Sequence, residues 1–298
     1  MYDDVHSPLV QMSSSSPNNQ QLSVAVVTGS SSGIGLATSL ALAKNGYLTY
    51  ATMRNLDKQY SIQSTAEKQH LPIRTVQLDV TDQNSVKDAI QSILSESGRI
   101  DLLVNNAGYG LTGAFEDVGI DEIKALYETN VFGVIRVTQA VLPVMRKQGS
   151  GRIINISSGA GRIGFPGSSA YVSSKFALEG LSESMAFEVE QFGIKTVLVE
   201  PGFVRTNFAE NIAIAKKAQE PRSPYSQMMH MMSSNRDRMF ENASSVDLVA
   251  AVVVEAATAK EPNLRYLAGK DVQQMVAAKK SMSDEEFHKM VKQGTTDK

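Results

Sequence analysis

The chain has 298 residues, 42% hydrophobic and 20% charged, with a formal net charge of −2; this is the balance of a globular protein and offers no basic face for nucleic acid. It has no cysteine, which excludes disulfides, thiolate nucleophiles and cysteine-bound zinc, and its four histidines (His6, His70, His230 and His288) lie far apart without ligand spacing, so no metal site is expected. Chemistry must come from hydroxyls, amines, amides, carboxylates or a bound cofactor.

Residues 1–21 contain no Lys or Arg and no long apolar core, which argues against a secretory or mitochondrial signal. Their Ser, Asn and Gln content predicts a disordered lead-in, and a cytoplasmic location is the default expectation. From residue 22, short apolar runs alternate with amphipathic stretches. Strands are predicted at 22–28, 47–53, 73–79, 100–106, 152–157 and 194–200, with a weaker one at 264–269. Helices are predicted near 34–45, 57–69, 82–97, 121–148, 168–192 and 244–259, and Pro143 should bend or interrupt the fourth.

This alternation predicts an α/β fold: a doubly wound, Rossmann-type, mostly parallel seven-stranded sheet with helices on both faces. No linker divides the chain, so one domain is read over 22–274, with a polar extension at 275–298. Residues 207–243 break the alternation, with Pro221, Pro224 and five methionines (Met228, Met229, Met231, Met232 and Met239). An adaptable apolar substrate cap above the C-terminal edge of the sheet and irregular surface packing both fit this composition. The longest apolar run, "LVAAVVV" at 248–254, falls far short of the ~20 residues of a membrane span.

"TGSSSGIG" (28–35) follows the first predicted strand and opens a helix. Gly29, Gly33 and Gly35 let the backbone turn tightly and approach a pyrophosphate, whose charge is favoured at a helix N-terminus. Roughly 20 residues further on, where an acidic side chain would bind a ribose 2′-hydroxyl, "ATMRN" places Met53 followed by Arg54. A guanidinium suits a 2′-phosphate, which favours NADP(H) over NAD(H); a solvent-exposed Arg beside an NAD site is the bland alternative. "YVSSK" sets Tyr171 and Lys175 four residues apart on one helix face, and "YLAGK" repeats that spacing at Tyr266 and Lys270. The spacing alone does not choose between them.

In chain order, "TGSSSGIG", "LDVTD" (78–82), "NNAG" (105–108), "NVFG" (130–133), "INISS" (154–158), "YVSSK" and "PGFVRT" (201–206) resemble the motifs of the short-chain dehydrogenase/reductase family, in its single-domain branch. The likeness runs from about residue 22 to 270. It implies a cofactor site formed by Gly29, Ser31, Gly33, Ile34, Gly35, Arg54, Asp79, Val80, Asn106, Ala107, Gly108, Tyr171, Lys175, Pro201, Gly202, Val204 and Thr206. It implies catalysis by Asn130, Ser158, Tyr171 and Lys175. Tyr171 has Ser158 thirteen residues upstream, as the family pattern requires, whereas the residue thirteen before Tyr266 is Val253. Tyr171 is therefore the catalytic candidate and Tyr266 a structural residue.

The resemblance implies that Lys175 and the oxidised nicotinamide lower the Tyr171 pKa toward working pH, so that Tyr171 passes a proton to or from the substrate oxygen. Ser158 is implied to orient that oxygen, Lys175 to bind the nicotinamide ribose, and Asn130 to hold a water, although local bonding to backbone also fits Asn130. The expected activity is NADP(H)-dependent interconversion of a small-molecule carbonyl and a secondary alcohol. "ATMRN" and "PNLRYLAGKD" resemble the steroid- and retinol-type subgroup. A 3-oxoacyl carrier-protein reductase, for which Lys216, Lys217 and Arg222 are a modest basic patch, and a non-catalytic NADP(H)-binding redox sensor remain open. Sugar-nucleotide epimerases fit less well, and no G-x-S-x-G elbow supports a Ser-His-Asp hydrolase. Pairing through 121–148 and 168–192 is implied, giving a homodimer or homotetramer, with the tail placed to block one tetramer interface.

Overall fold

A computed structural model describes residues 22–205, 212–241 and 243–296. The predicted lead-in at 1–21 and Thr206 lie outside the described residues. In chain order the first half comprises β1 (Ser23–Val27), α1 (Gly33–Lys44), β2 (Tyr47–Met53), α2 (Tyr60–Gln69), β3 (Ile73–Gln77), α3 (Gln83–Ser97), β4 (Leu102–Asn105), β5 (Leu111–Thr112), α4 (Ile120–Tyr127) and α5 (Gly133–Gln148). Then come β6 (Gly151–Ile156), α6 (Ser169–Val189), β7 (Ile194–Pro201), β8 (Ala213–Ile214), α7 (Ser226–Glu241), α8 (Val246–Thr258), β9 (Arg265–Ala268), α9 (Lys270–Ser281) and α10 (Asp284–Thr296).

The apolar runs pair as a seven-stranded, all-parallel sheet in the order β3-β2-β1-β4-β6-β7-β9. Central strands in such a sheet are covered on both faces, which is why β1 and β4 read as continuous apolar stretches. On one face Val86, Ile90 and Ile93 of α3, Val137, Val141 and Met145 of α5 and Val189 of α6 form the larger core. On the other face Leu42 of α1 meets Val249, Val253 and Ala256 of α8. Chain direction across the sheet reverses between β1 and β4, and this opens a crevice at their C-terminal ends where ligands settle in doubly wound folds.

The helix predicted over 121–148 is divided, and not at Pro143. A π-helical turn, Glu128–Phe132, separates α4 from α5 and buries Asn130 and Val131. α5 continues through Pro143 because that residue and Gln139, whose carbonyl loses its donor, are both exposed, so water replaces the missing N–H. The 275–298 extension, expected to be polar, is helical in its described part and builds a core of its own. Val272, Val276 and Phe287 pack on Ile163, with Phe165, Met275 and Met290 around them. The boundary placed at 274/275 therefore falls inside α9. Among the described residues no helix is long and apolar enough to cross a membrane.

The cap region forms β8, which pairs with β5, then a 3-10 turn, Lys217–Gln219, and α7. It is tied to the turn before α4 by Ser223 Oγ to Asp117 Oδ2 (2.6 Å) and Tyr225 Oη to Glu116 Oε2 (2.8 Å). Met232 and Met229 of α7 pack on Gly167, in the segment between Ser158 and Tyr171: a Cβ there would meet their sulfurs at 2.8 and 3.4 Å.

Candidate active site

The glycine-rich loop is shaped from below by β4. Thr28, just past β1, accepts the N–H groups of Asn106 (3.0 Å) and Ala107 (3.1 Å) on its hydroxyl. Asn106 donates its side-chain amide to the carbonyls of Thr28 (2.9 Å) and Gly29 (3.1 Å). Gly29 takes a φ of +69°, and a Cβ there would lie 2.9 Å from Ala107 Cα. A Cβ on Gly35 would collide with the Gly29 carbonyl and come within 2.5 Å of Asn106 Nδ2. The loop thus needs glycine at both positions for close approach. Gly33 opens α1 at φ +57°, Ser31 and Ile34 are half-buried beside it, and no side chain caps the first turn, so its N–H groups face the crevice.

At the end of β2, Met53 is fully buried against Ala51 and Ile62, so the place of the acidic residue is filled by a core side chain. Arg54, next in sequence, is exposed. Asp79 is half-buried and accepts the N–H (2.9 Å) and hydroxyl (2.8 Å) of Thr81 on Oδ1. Val80 packs against Gly133, and its carbonyl accepts from Arg136, itself paired with Glu128 at 2.6 Å. The loop and the open helix N-terminus fit the pyrophosphate of a dinucleotide.

Across the crevice, Ser158 follows β6, and Tyr171 and Lys175 sit one turn apart on α6. The Tyr171 phenol and the Ser158 hydroxyl are hydrogen-bonded. Ser158 Oγ also accepts from Ala160 N–H at 3.1 Å. Lys175, buried, donates to the carbonyl of Ile156 at 2.9 Å, with Nζ 5.8 Å from the centre of the Tyr171 ring. Burial holds Lys175 down at about 8, with Glu179 opposing the fall. Burial pushes Tyr171 up to about 12, with the Ser158 bond pulling the other way. Part of the residue stays exposed, but its phenol end is enclosed, and desolvating a phenolate costs more than Ser158 returns; the lowering expected from an oxidised nicotinamide belongs to the cofactor-bound protein.

Asn130, on the π-helical turn, is buried; its Oδ1 accepts from Tyr109 N–H (3.0 Å) and its Nδ2 donates to Tyr109 O (2.9 Å). Its side chain thus clamps the backbone after "NNAG", 21 residues away in sequence, and not the local backbone considered for it. Gly108 adjoins it, since a Cβ there would lie 3.0 Å from Asn130 Oδ1. Pro201 ends β7, and Gly202 and Val204 follow, with Val204 bridged to Ser244. Tyr266, the duplicate tyrosine, lies on β9 and accepts Asn263 N–H at 3.1 Å.

Sequence reasoning missed two buried networks. Asn105 Nδ2 donates to Asn155 Oδ1 (2.8 Å), whose own amide donates to Ser182 Oγ (2.8 Å), locking α6 onto β4 and β6. Glu179, one turn after Lys175, accepts from Arg265 at 3.0 Å; Glu200, fully buried, pairs with Arg162 (3.1 Å) and Arg265 (3.4 Å). Burial and the neighbouring Glu179 raise the Glu200 pKa, and the two guanidinium groups offset part of that rise. Only the i,i+4 spacing of Lys175 and Glu179 was visible beforehand. No group of three or more metal-ligating side chains occurs among the described residues. An open groove of about 580 Å³ runs along the cap from Ser169 past Phe115, Phe165, Pro166 and Met228.

A family model described as short chain dehydrogenase matches residues 23–217. The chain is 36% identical over 261 residues to a 3-ketodihydrosphingosine reductase of Bacteroides thetaiotaomicron, covering 88% of this chain and 93% of that one. It is 36% identical over 252 residues to human 17-beta-hydroxysteroid dehydrogenase type 1, covering 82% and 76%. A short-chain dehydrogenase structure from Streptomyces avermitilis superposes with a TM-score of 0.76 at 33% identity, covering 91% and 97%. A metagenomic short-chain oxidoreductase in complex with NADP does so with 0.66 at 28% identity, covering 82% and 96%.

Proposed function

The chain belongs to the short-chain dehydrogenase family, and from that premise we propose that it is an NADP(H)-dependent oxidoreductase reducing the carbonyl of an apolar substrate to a secondary alcohol. The observation that carries this reading is the hydrogen-bonded Ser158–Tyr171 pair with Lys175 one turn away. A nicotinamide cofactor, when bound beside this pair, would supply the hydride. Tyr171, as a neutral phenol, is in the form that donates a proton to the carbonyl oxygen. Ser158 holds the same oxygen and stabilises the charge that develops on it. The Lys175 ammonium stabilises the phenolate left behind. Asn130 acts by fixing the backbone at Tyr109 beside Gly108.

Gly29, Ser31, Gly33, Ile34 and Gly35 bind the pyrophosphate, Arg54 the 2′-phosphate, Asp79 and Val80 the adenine side, and Asn106 to Gly108 the wall beside it. Pro201, Gly202 and Val204 form the nicotinamide side. A large ketone is supported by the cap methionines, by the apolar groove, and by relatives named for a hydroxysteroid and a keto-sphingoid base. Pairing through α4–α5 and α6 is supported by exposed Phe132, Phe176 and Phe187.

NADPH and NADH titrations by cofactor fluorescence test the cofactor. NADPH binds more tightly, and Arg54→Ala removes about 10- to 100-fold of that preference; equal affinity in the wild type refutes the assignment. NADPH consumption on ketosteroids, 3-keto sphingoid bases and 3-oxoacyl thioesters tests the substrate class. Turnover confined to the thioesters would replace the apolar-ketone reading with a carrier-protein reductase.

A further inference from the structure

Asp271 lies in the first turn of α9, outside every motif of the site, yet its carboxylate reaches back to the segment that follows β7. Its Oδ2 accepts the Phe203 N–H at 2.7 Å, across 68 residues of sequence. Its Oδ1 is buried and takes no hydrogen bond. The carboxylate is enclosed between two glycines: a Cβ on Gly202 would fall onto it, and one on Gly269 would lie 2.5 Å from Oδ1. Gly269 takes a φ of +132°, and the N–H of Gly202 donates to Ala268 O at 3.2 Å, so both walls of the enclosure are fixed by backbone. The next residue, Val272, packs on Gly159, where a Cβ would lie 2.9 Å from its Cγ2, directly after Ser158. One turn of α9 therefore braces the neighbouring segments that follow β6 and β7.

We propose that Asp271 is a positioning residue for the cofactor: by holding the Phe203 N–H it fixes the 201–204 backbone as a preformed floor for the nicotinamide. This rests on the reading of residues 201–204 as the nicotinamide side. A carboxylate in the first turn of a helix is favoured by the helix dipole, and such groups commonly cap their own helix. Here α9 has no side-chain cap, and the acceptor is committed to the loop instead. Glycine at 202 permits other loop conformations; backbone bonds between Ser244 and both Phe203 O and Arg205 N–H (2.9 Å each) hold one side of the loop, and the charge-assisted bond to the Phe203 N–H holds the other. Preforming the floor lowers the ordering cost of binding at that end of the cofactor alone. The adenosine end is held by the 29–35 loop and Arg54, which Asp271 does not touch.

The test compares NADPH with 2′-phospho-ADP-ribose, which carries the same phosphates and lacks nicotinamide, on wild type, Asp271→Ala, Asp271→Ser and Asp271→Asn. Asp271→Ala and Asp271→Ser weaken NADPH about tenfold, the worth of one hydrogen bond to a charged group, and the fragment less than about twofold. Asp271→Asn keeps an acceptor oxygen and stays within about threefold of wild type for both. Equal weakening of the two ligands, or of neither, overturns the role of Asp271. Wild-type protein that binds the fragment as tightly as NADPH overturns the reading of 201–204 itself, and the proposal with it.

Discussion

Replacing Lys175 by Met should abolish turnover while leaving the folded protein as stable as the wild type at pH 7, or more so. The ammonium is buried, and its pKa falls from 10.5 to about 8 because enclosure disfavours its charge. A fall of that size corresponds to about 3 kcal/mol carried by the folded state whenever the lysine is protonated. Met has a similar shape and no charge, so the substitution relieves that cost. Against the gain stands the lost bond to the Ile156 carbonyl, about 1–3 kcal/mol for leaving a buried acceptor unpaired. The net expectation at pH 7 is a variant up to about 2 kcal/mol more stable.

The pH dependence is the sharper prediction. Below about pH 8 the lysine is protonated both folded and unfolded, so the wild type bears the full cost. Between about 8 and 10.5 the folded state has released the proton while the unfolded chain retains it, so wild-type stability rises with pH. The variant has no such group, and its advantage should shrink by about 3 kcal/mol across that window. Urea unfolding of both proteins at half-unit steps from pH 7 to 10.5 measures the difference. A difference that stays flat from pH 8 to 10.5, or a variant more than 2 kcal/mol less stable at pH 7 (about the whole expected gain), refutes the reasoning.

Tyr171→Phe should lower turnover by about 10²–10⁴-fold, the usual worth of a positioned general acid, while NADPH affinity by fluorescence stays within about threefold. Tyr266→Phe loses only the acceptor for Asn263 N–H, so it should cost about 0.5–1.5 kcal/mol in urea unfolding and leave turnover intact. Gly35→Ala forces a methyl onto the Gly29 carbonyl and the Asn106 amide. It should destabilise by about 1–3 kcal/mol and weaken NADPH binding by an order of magnitude; wild-type affinity would show that the loop moves aside freely.

What was legible in the sequence is what local chemistry dictates. Parallel strands buried on both faces write themselves as apolar runs, and the glycines of 29–35 are needed by their own turn. Ser158, Tyr171 and Lys175 lie on a strand end and a single helix, so one motif carries most of their geometry. The π-helical turn was hidden because α4 and α5 continue an amphipathic pattern through it. Asn130 could not be assigned a partner, because Tyr109 is 21 residues away. The C-terminal core was hidden because its apolar residues are thinly spread, and they cohere only against Ile163 and Phe165. The enclosure that raises the Tyr171 pKa was hidden because the motif reveals its charged neighbour but not its burial.

The carboxylates behind Lys175 bear on how the chain completes itself. Glu179, Glu200 and Arg162 all precede residue 201, whereas Arg265 arrives on β9, a strand at the edge of the sheet near the end of the chain. β9 contributes its Arg265 by pairing with Leu198 on β7. A chain ending before that strand would leave Glu200 with Arg162 alone and Glu179 without a guanidinium, an arrangement that resists closure. Arg265 thus acts as an electrostatic latch, bringing from β9 the guanidinium that neutralises the carboxylates behind Lys175.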